Sequence, residues 1–219
     1  MIGDDLTVRF PWHDASLIKT SKELVLEGGA AFGTGDHPTT RLCCRWLQGV
    51  LKRKNDVSVL DYGCGSAILG LASLLYGART AAGIDIDMDA LRSAKNNCLL
   101  NKLHMDLYCT ADVESPSSWP VSPNGVEKGD EDFRDISHLN GTFEITVANI
   151  LAPILILLVE DIAKRTSQCG YVAMSGLVSQ QSDAVINAYR GYFDNLKVHE
   201  EEEGWVLITG IRNTIPAGV

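Results

Sequence analysis

From Pro38 onward the chain alternates short β-branched runs with amphipathic stretches, and this alternation restricts it to an α/β fold with a mostly parallel sheet. Parallel neighbours need a long crossover, which a helix supplies. Pro38 to Lys54 sets Leu42, Trp46, Leu47, Val50 and Leu51 on one face and predicts a helix. Val57 to Asp61 reads as the first strand of the alternation. A glycine-rich turn then leads into a helix from about Ala67 to Tyr76, closed by Gly77. Thr80 to Asp85 is the next strand. Asp87 caps a helix that Asn101 closes, and Leu107 to Thr110 is extended. Phe143 to Ala148 follows as a strand, then a helix from Ala152 to Arg165 whose basic end suits its dipole. Tyr171 to Met174 is a strand and Asp183 to Tyr192 a helix. The end breaks the alternation. Asn195 to Glu200 and Trp205 to Ile211 are separated only by a short acidic turn containing Gly204, so they must pair as an antiparallel hairpin.

With 219 residues, 45% of them hydrophobic and 21% charged, the chain has enough material for one sizeable core. A segment from Glu114 to Gly141, rich in proline, glycine and polar residues, reads as a loop insertion on the surface. The net charge of −9 gives phosphate binding little help, and no basic stripe with interleaved aromatics is visible, so no direct nucleic-acid binding is expected. A lysine-rich protein suits this charge better as a partner. The longest apolar run, Ile150 to Val159, is too short to span a bilayer, so no membrane association is expected. Cys43, Cys44, Cys64, Cys98, Cys109 and Cys169 include no C-x-x-C pair and no zinc-ligand spacing; they read as buried thiols of a reduced compartment, and no metal is expected. The acidic Met1–Asp5 start lacks a signal-peptide pattern. The expected location is intracellular, cytoplasmic or organellar (plastid or mitochondrion) if a targeting segment has been removed.

Three places carry candidate chemistry. Asp61-Tyr62-Gly63-Cys64-Gly65-Ser66-Ala67 lies where the first strand of the alternation turns into its helix. Glycines at Gly63 and Gly65 let backbone approach a ligand, and a helix N-terminus offers N–H groups. The alternative is a bare structural turn. Asp85 ends the next strand about 20 residues farther on, the place where a carboxylate accepts both hydroxyls of a ribose. That contact serves a nicotinamide cofactor as well as S-adenosylmethionine. Asp87 reads as a helix cap rather than a ligand. Asn149 follows the fourth strand, at the carboxyl edge where open α/β sheets bind ligands. Its amide is suited to orienting an incoming amine; the competing reading is a cap for the helix near Ala152.

These elements join Gly33-Thr34-Gly35-Asp36-His37-Pro38-Thr39-Thr40, Gly83-Ile84-Asp85-Ile86-Asp87, Ala148-Asn149-Ile150-Leu151-Ala152, Ser175-Gly176-Leu177-Val178-Ser179-Gln180 and the closing Glu203-Gly204-Trp205 strand. Together and in this order, from about Glu27 to Arg212, they resemble the methyltransferase family of large-subunit ribosomal protein L11, the PrmA family. The resemblance implies a three-layer, Rossmann-like class I methyltransferase fold, with a seven-stranded mostly parallel sheet ending in an antiparallel hairpin. It implies S-adenosylmethionine as cofactor, contacted by Thr40, Gly63, Gly65, Asp85 and Asn149, with Asn149 also catalytic. It further implies N-methylation of lysine or an α-amino group on a ribosomal protein. Residues 1–26 are then a lead-in, linked to or left from a recognition region, and residues 27–219 the catalytic domain with its insertion at 114–141.

Departures bear on this. Ala67 stands at the family's third glycine, which matters if φ there is positive. Asp36 replaces a threonine, the insertion is longer, and the family's N-terminal recognition domain is almost absent. Thr40 has a second reading as a cap of its own helix, and His37 reads as a structural loop residue. Competing functions are a methyltransferase for another protein or small molecule, a nicotinamide-dependent oxidoreductase, and a non-catalytic module that binds the cofactor.

Overall fold

The computed structural model describes residues 5–14, 20–28, 35–109, 139–140 and 142–214, together with the backbone of 134–135. Ten strands and six α-helices occur among these residues: β1 Leu6–Arg9, β2 Lys22–Val25, α1 Pro38–Leu51, β3 Ser58–Tyr62, α2 Ile68–Leu75, β4 Thr80–Asp85, α3 Met88–Asn101, β5 Asp106–Cys109, β6 Arg134–Asp135, β7 Phe143–Asn149, α4 Ala152–Leu157, α5 Val159–Arg165, β8 Thr166–Val178, α6 Ser182–Tyr189, β9 Phe193–Glu202 and β10 Trp205–Arg212.

The main sheet runs β6-β5-β4-β3-β7-β8-β10-β9. Its first six strands are parallel, and β10 lies antiparallel to both β8 and β9. Seven strands carry the sheet, and the two-residue β6 extends the β5 edge. Alternating side chains assign each strand to two cores. Val59, Val147, Ala173 and Leu207 pack under α1, α2 and α3, whereas Leu60, Ala148, Met174 and Ile208 pack under α4, α5 and α6. The result is the expected three-layer sandwich. Leu42 and Leu47 of α1 are wholly buried, each stabilising by roughly 1.5–3 kcal/mol.

The hairpin closes through Glu203 and Gly204 at φ 54° and 80°. Left-handed values at both turn positions match the twist of paired strands and hold a two-residue connection. Asp87 caps α3 by accepting from Asp89 N at 2.9 Å. Gly77 leaves α2 at φ 104°, as a C-cap glycine should.

Four features differ from the sequence reading. The helix expected over Ala152–Arg165 breaks at Leu158 (φ −92°, ψ 8°) into α4 and α5. The β-branched Ile154, Ile156 and Val159 around the break lower the helical preference there. Strand β8 is far longer than Tyr171–Met174. It begins at Thr166, bulges between the Phe143↔Thr166 and Ile145↔Tyr171 pairs, and its polar start hid it from the pattern. Cys169 sits at φ 61° in that bulge and is exposed, so it is not the buried thiol expected; Cys43, Cys44, Cys64 and Cys98 are buried. Finally, β1 and β2 form a parallel pair in the stretch read as a lead-in, and Leu6, Leu24 and Leu26 enter the core of α1 to α3. Most of the 114–141 insertion lies outside the described residues, as do Gly33 and Thr34.

Candidate active site

Chain order along the sheet reverses between β3 and β7: β4 and β5 lie to one side of β3, β7 and β8 to the other. Crevices form at the carboxyl ends of strands at such a reversal. The last pairing there is Tyr62↔Ala148, so Gly63 and Asn149 leave adjacent strands side by side. Gly63 has φ 72°, and a Cβ on it would stand 2.4 Å from Ile150 Cγ2. A close approach of the two loops thus requires this glycine. Gly176 imposes a matching demand from β8: at φ 88°, an added Cβ would meet the Ile150 backbone at 2.5 to 2.8 Å. Ile150 N donates to Ser175 O at 3.1 Å, tying the loop after β7 to β8.

The glycine turn is fastened by carboxylates. Gly65 N donates to Asp85 Oδ2 at 2.9 Å, and Asp87 N donates to Asp85 Oδ1 at 3.0 Å. Gly63 N and Cys64 N both donate to Ile84 O. Asp61 is buried within the turn and accepts from Gly70 N at 2.9 Å, with Leu69 N as a further donor. The helix amides expected to await a ligand are therefore partly occupied by Asp61. Burial pushes the Asp61 carboxyl up to about 8, the Gly70 amide works against that, and Asp85 adds to it. Burial likewise raises Asp85, opposed by the amides of Asp87, Gly65 and Ile86. Ala67 occupies φ 62°, ψ 21°, so the position that departs from the resembled family's glycine does need a left-handed backbone.

Thr40 and Asn149, 109 residues apart, meet at this edge of the sheet: Asn149 Nδ2 donates to Thr40 Oγ1 at 3.4 Å. Neither is a helix cap. His37 caps α1, its Nδ1 accepting from Thr39 N at 3.3 Å and contacting Thr39 Oγ1 at 2.7 Å. Leu151 precedes α4 without a side-chain cap. The Asn149 carbonyl oxygen is buried and has no hydrogen-bond partner. A bare buried acceptor costs roughly 1–3 kcal/mol unless a ligand supplies the donor.

The hairpin braces the Thr40 side. Trp205 meets the His37 ring edge-on, centroids 4.7 Å apart. Arg45 binds Glu200 at 2.7 Å and Glu202 at 2.6 Å, and Arg41 binds Glu202 at 2.5 Å and Glu203 at 3.0 Å. Partial burial raises the Glu202 pKa, but hydrogen bonds from Arg45 and Arg41 outweigh it and bring the carboxyl below its ordinary value.

The family model for ribosomal protein L11 methyltransferase (PrmA) matches residues 1–213. The chain belongs to that family. The match extends through the β1–β2 stretch and so begins well before Glu27, where the motif resemblance started. Among curated PrmA relatives, the ribosomal protein L11 methyltransferase of Neisseria meningitidis serogroup C is 40% identical over 96% of this chain, and that of Paraburkholderia phymatum 36% over 96%. The chain spans about 62% of the length of the first and 61% of the second. A solved ribosomal protein L11 methylase from Lactobacillus delbrueckii subsp. bulgaricus superposes with TM-score 0.73 at 24% identity, over 97% of this chain and 96% of that one. The tRNA (m1A58) methyltransferase TrmI of Aquifex aeolicus does so at 0.59 and 15%, over 86% and 74%. Both likenesses speak to the fold.

The sequence reading thus named Gly63, Gly65, Asp85, Thr40 and Asn149: Asn149 bonds to Thr40, Asp85 holds Gly65, and Gly63 follows the strand beside that of Asn149. It missed Asp61 as the partner of the α2 amides, the closeness imposed by Gly176 and Ile150, and the brace of Arg41 and Arg45. Among the described residues no group of three or more potential ligands is placed to hold a metal, and no helix is long and apolar enough to cross a membrane.

Proposed function

We propose that this chain transfers a methyl group from S-adenosylmethionine to an amino group of ribosomal protein L11. The observation that carries the reading is the buried, unpartnered Asn149 oxygen, held beside Thr40 and next to Gly63 at the reversal of the sheet.

The residues present fit the cofactor. Asp85 stands at the end of β4, its Oδ2 accepting from Gly65 N and its Oδ1 from Asp87 N with Ile86 N as a further donor, which leaves one acceptor position for a ribose hydroxyl. Gly63 and Gly65 carry no side chains at the turn beside it, and the Thr40 hydroxyl, which accepts from Asn149 Nδ2, would meet the carboxylate of the methionine moiety. When bound, the cofactor supplies a methyl group activated by a sulfonium. The protein's own task is then to present a neutral amine. Asn149 Oδ1 accepts an N–H of that amine and so turns the nitrogen lone pair toward the methyl carbon, while Nδ2 stays anchored on Thr40. Such positioning, rather than strong acid–base chemistry, supplies the rate. The net charge of −9 favours an encounter with a lysine-rich acceptor protein.

The test is transfer of labelled methyl from S-adenosylmethionine to purified ribosomal protein L11, with a cell extract alongside. Label on L11 supports the whole reading. Label only on another extract protein keeps the chemistry and moves the substrate. Cofactor binding with no label on any protein overturns the proposed activity in favour of a binding module.

A further inference from the structure

Helix α3 carries Asn97 and Asn101 one turn apart on the face that also buries Ala90, Ser93 and Ala94, and neither belongs to the site described above. Asn97 is fully buried. Its Oδ1 accepts from Glu27 N at 2.7 Å, and its Nδ2 donates to Ser66 O at 2.9 Å. Asn101 Oδ1 accepts from Val25 N at 2.8 Å, while its Nδ2 donates to Val25 O and Asn97 O, each at 2.7 Å. The two amides thus present donor and acceptor to the extended run Val25–Glu27 much as a neighbouring strand would. Asn96 adds a bond to the Glu27 carboxylate at 2.9 Å.

Asn97 differs from Asn101 in its second partner. Ser66 lies in the glycine turn between Gly65 (φ 51°) and Ala67 (φ 62°), two left-handed residues that leave its peptide plane dependent on outside bonds. The Ala67 side of this peptide donates its N–H to Cys64 O at 2.7 Å, and the Ser66 oxygen takes the Asn97 amide. One buried side chain therefore joins the turn on which Gly63 and Gly65 sit to the stretch Val25–Glu27, whose chain continues toward His37 and Thr40.

We propose that Asn97 is a positioning residue for the cofactor: through Ser66 O it fixes the turn that faces the nucleoside, and through Glu27 N it locks that turn in register with the segment before α1. The proposal rests on S-adenosylmethionine binding at this turn. Asn101 grips the same segment without touching the turn and is the internal control.

The experiment is calorimetric titration of S-adenosylmethionine and of its demethylated product into the wild type, Asn97→Ala, Asn97→Asp and Asn101→Ala, with folding checked by circular dichroism at the same temperature. Asn97→Asp keeps the acceptor for Glu27 N and removes the donor to Ser66 O, so it serves if the alanine variant fails to fold. Weakening of at least tenfold in both Asn97 variants, with Asn101→Ala within twofold of wild type, is the expected result. In turnover, KM for the cofactor rises while kcat stays within about threefold. Unchanged affinity in the Asn97 variants, with only a lowered melting temperature, overturns the proposal. Equal weakening in Asn101→Ala overturns it too, because the segment rather than the turn would then matter. A wild type that binds neither ligand sinks the functional reading itself, which is a separate outcome.

Discussion

The two sides of the sheet reversal treat their polar groups in opposite ways. On the β3–β4 side, Asp61, Asp85 and Asp87 are each matched to backbone amides, and the turn around Gly63 and Gly65 is tied down before any ligand arrives. On the β7–β8 side, Asn149 keeps one loose bond to Thr40 and a buried oxygen with no partner. The first arrangement is that of a preformed cradle, with its reorganisation already done. The second leaves an acceptor that, on the proposed reading, an incoming donor would complete. The proposed methyl transfer, with a donor held in place and an acceptor amine to be aimed, would ask for this division of labour.

The contrast is broken most severely at Gly176. An alanine there places a Cβ within 2.5 to 2.8 Å of the Ile150 backbone at φ 88°. Strain and overpacking together should destabilise the protein by about 2–4 kcal/mol and displace the loop bearing Asn149. Chemical denaturation of Gly176→Ala measures the first effect and methyl transfer the second. On the cradle side, Asp85→Ala should weaken cofactor binding by about 10- to 100-fold, since hydrogen bonds to a charged group contribute about 1.5–3 kcal/mol. Because Asp85 also holds Gly65 and Asp87, the variant should melt at a lower temperature as well, which calorimetry and thermal scans together would register.

Much of this was visible before the fold was known. Strand β4, the caps at Asp87 and Gly77, and the terminal hairpin all have local signals: a short apolar run between turn residues, a side chain of the right type at the helix end, a glycine at a turn. Gly63, Gly65, Asp85 and Asn149 were visible because they lie at or just past the carboxyl ends of strands, and Thr40 because it sits in the motif that opens α1. What escaped depends on partners far away in sequence. Asp61 reads as the end of a strand, and only the packed turn shows it holding α2. Asn97 and Asn101 look like ordinary polar helix residues until the face around them is seen to be buried. The start of β8 was hidden by polar Ser167 and Gln168 in its bulge.

A pH series sharpens the cradle side. The Asp61 pKa is raised in the folded protein to about 8 from an ordinary carboxylate value, so between those limits the folded state holds a proton that the unfolded chain has lost. Its contribution to stability is therefore full in acid, declines as pH rises through about 8, and changes no further above that. Asp85 is shifted in the same direction. Denaturation midpoints of the wild type and Asp61→Asn, compared from pH 5 to pH 9, should converge on a flatter profile for the variant; parallel profiles would contradict the assignment. The smallest expected effect is at Ala67. Replacing it with glycine relieves a left-handed residue costing about 1 kcal/mol but removes a buried methyl contributing about 0.8 kcal/mol. The melting temperature should hardly move, whereas Ala67→Val, β-branched at the same φ, should clearly lower it.

The most direct test of the division between cradle and aiming group is a single-turnover measurement with Asn149→Ala at saturating S-adenosylmethionine, using ribosomal protein L11 as acceptor and calorimetry on the same preparations. The account predicts a methyl-transfer rate reduced about 100- to 1,000-fold with cofactor affinity within about threefold of wild type. An unchanged rate, or a rate that falls only in step with lost cofactor binding, would contradict it.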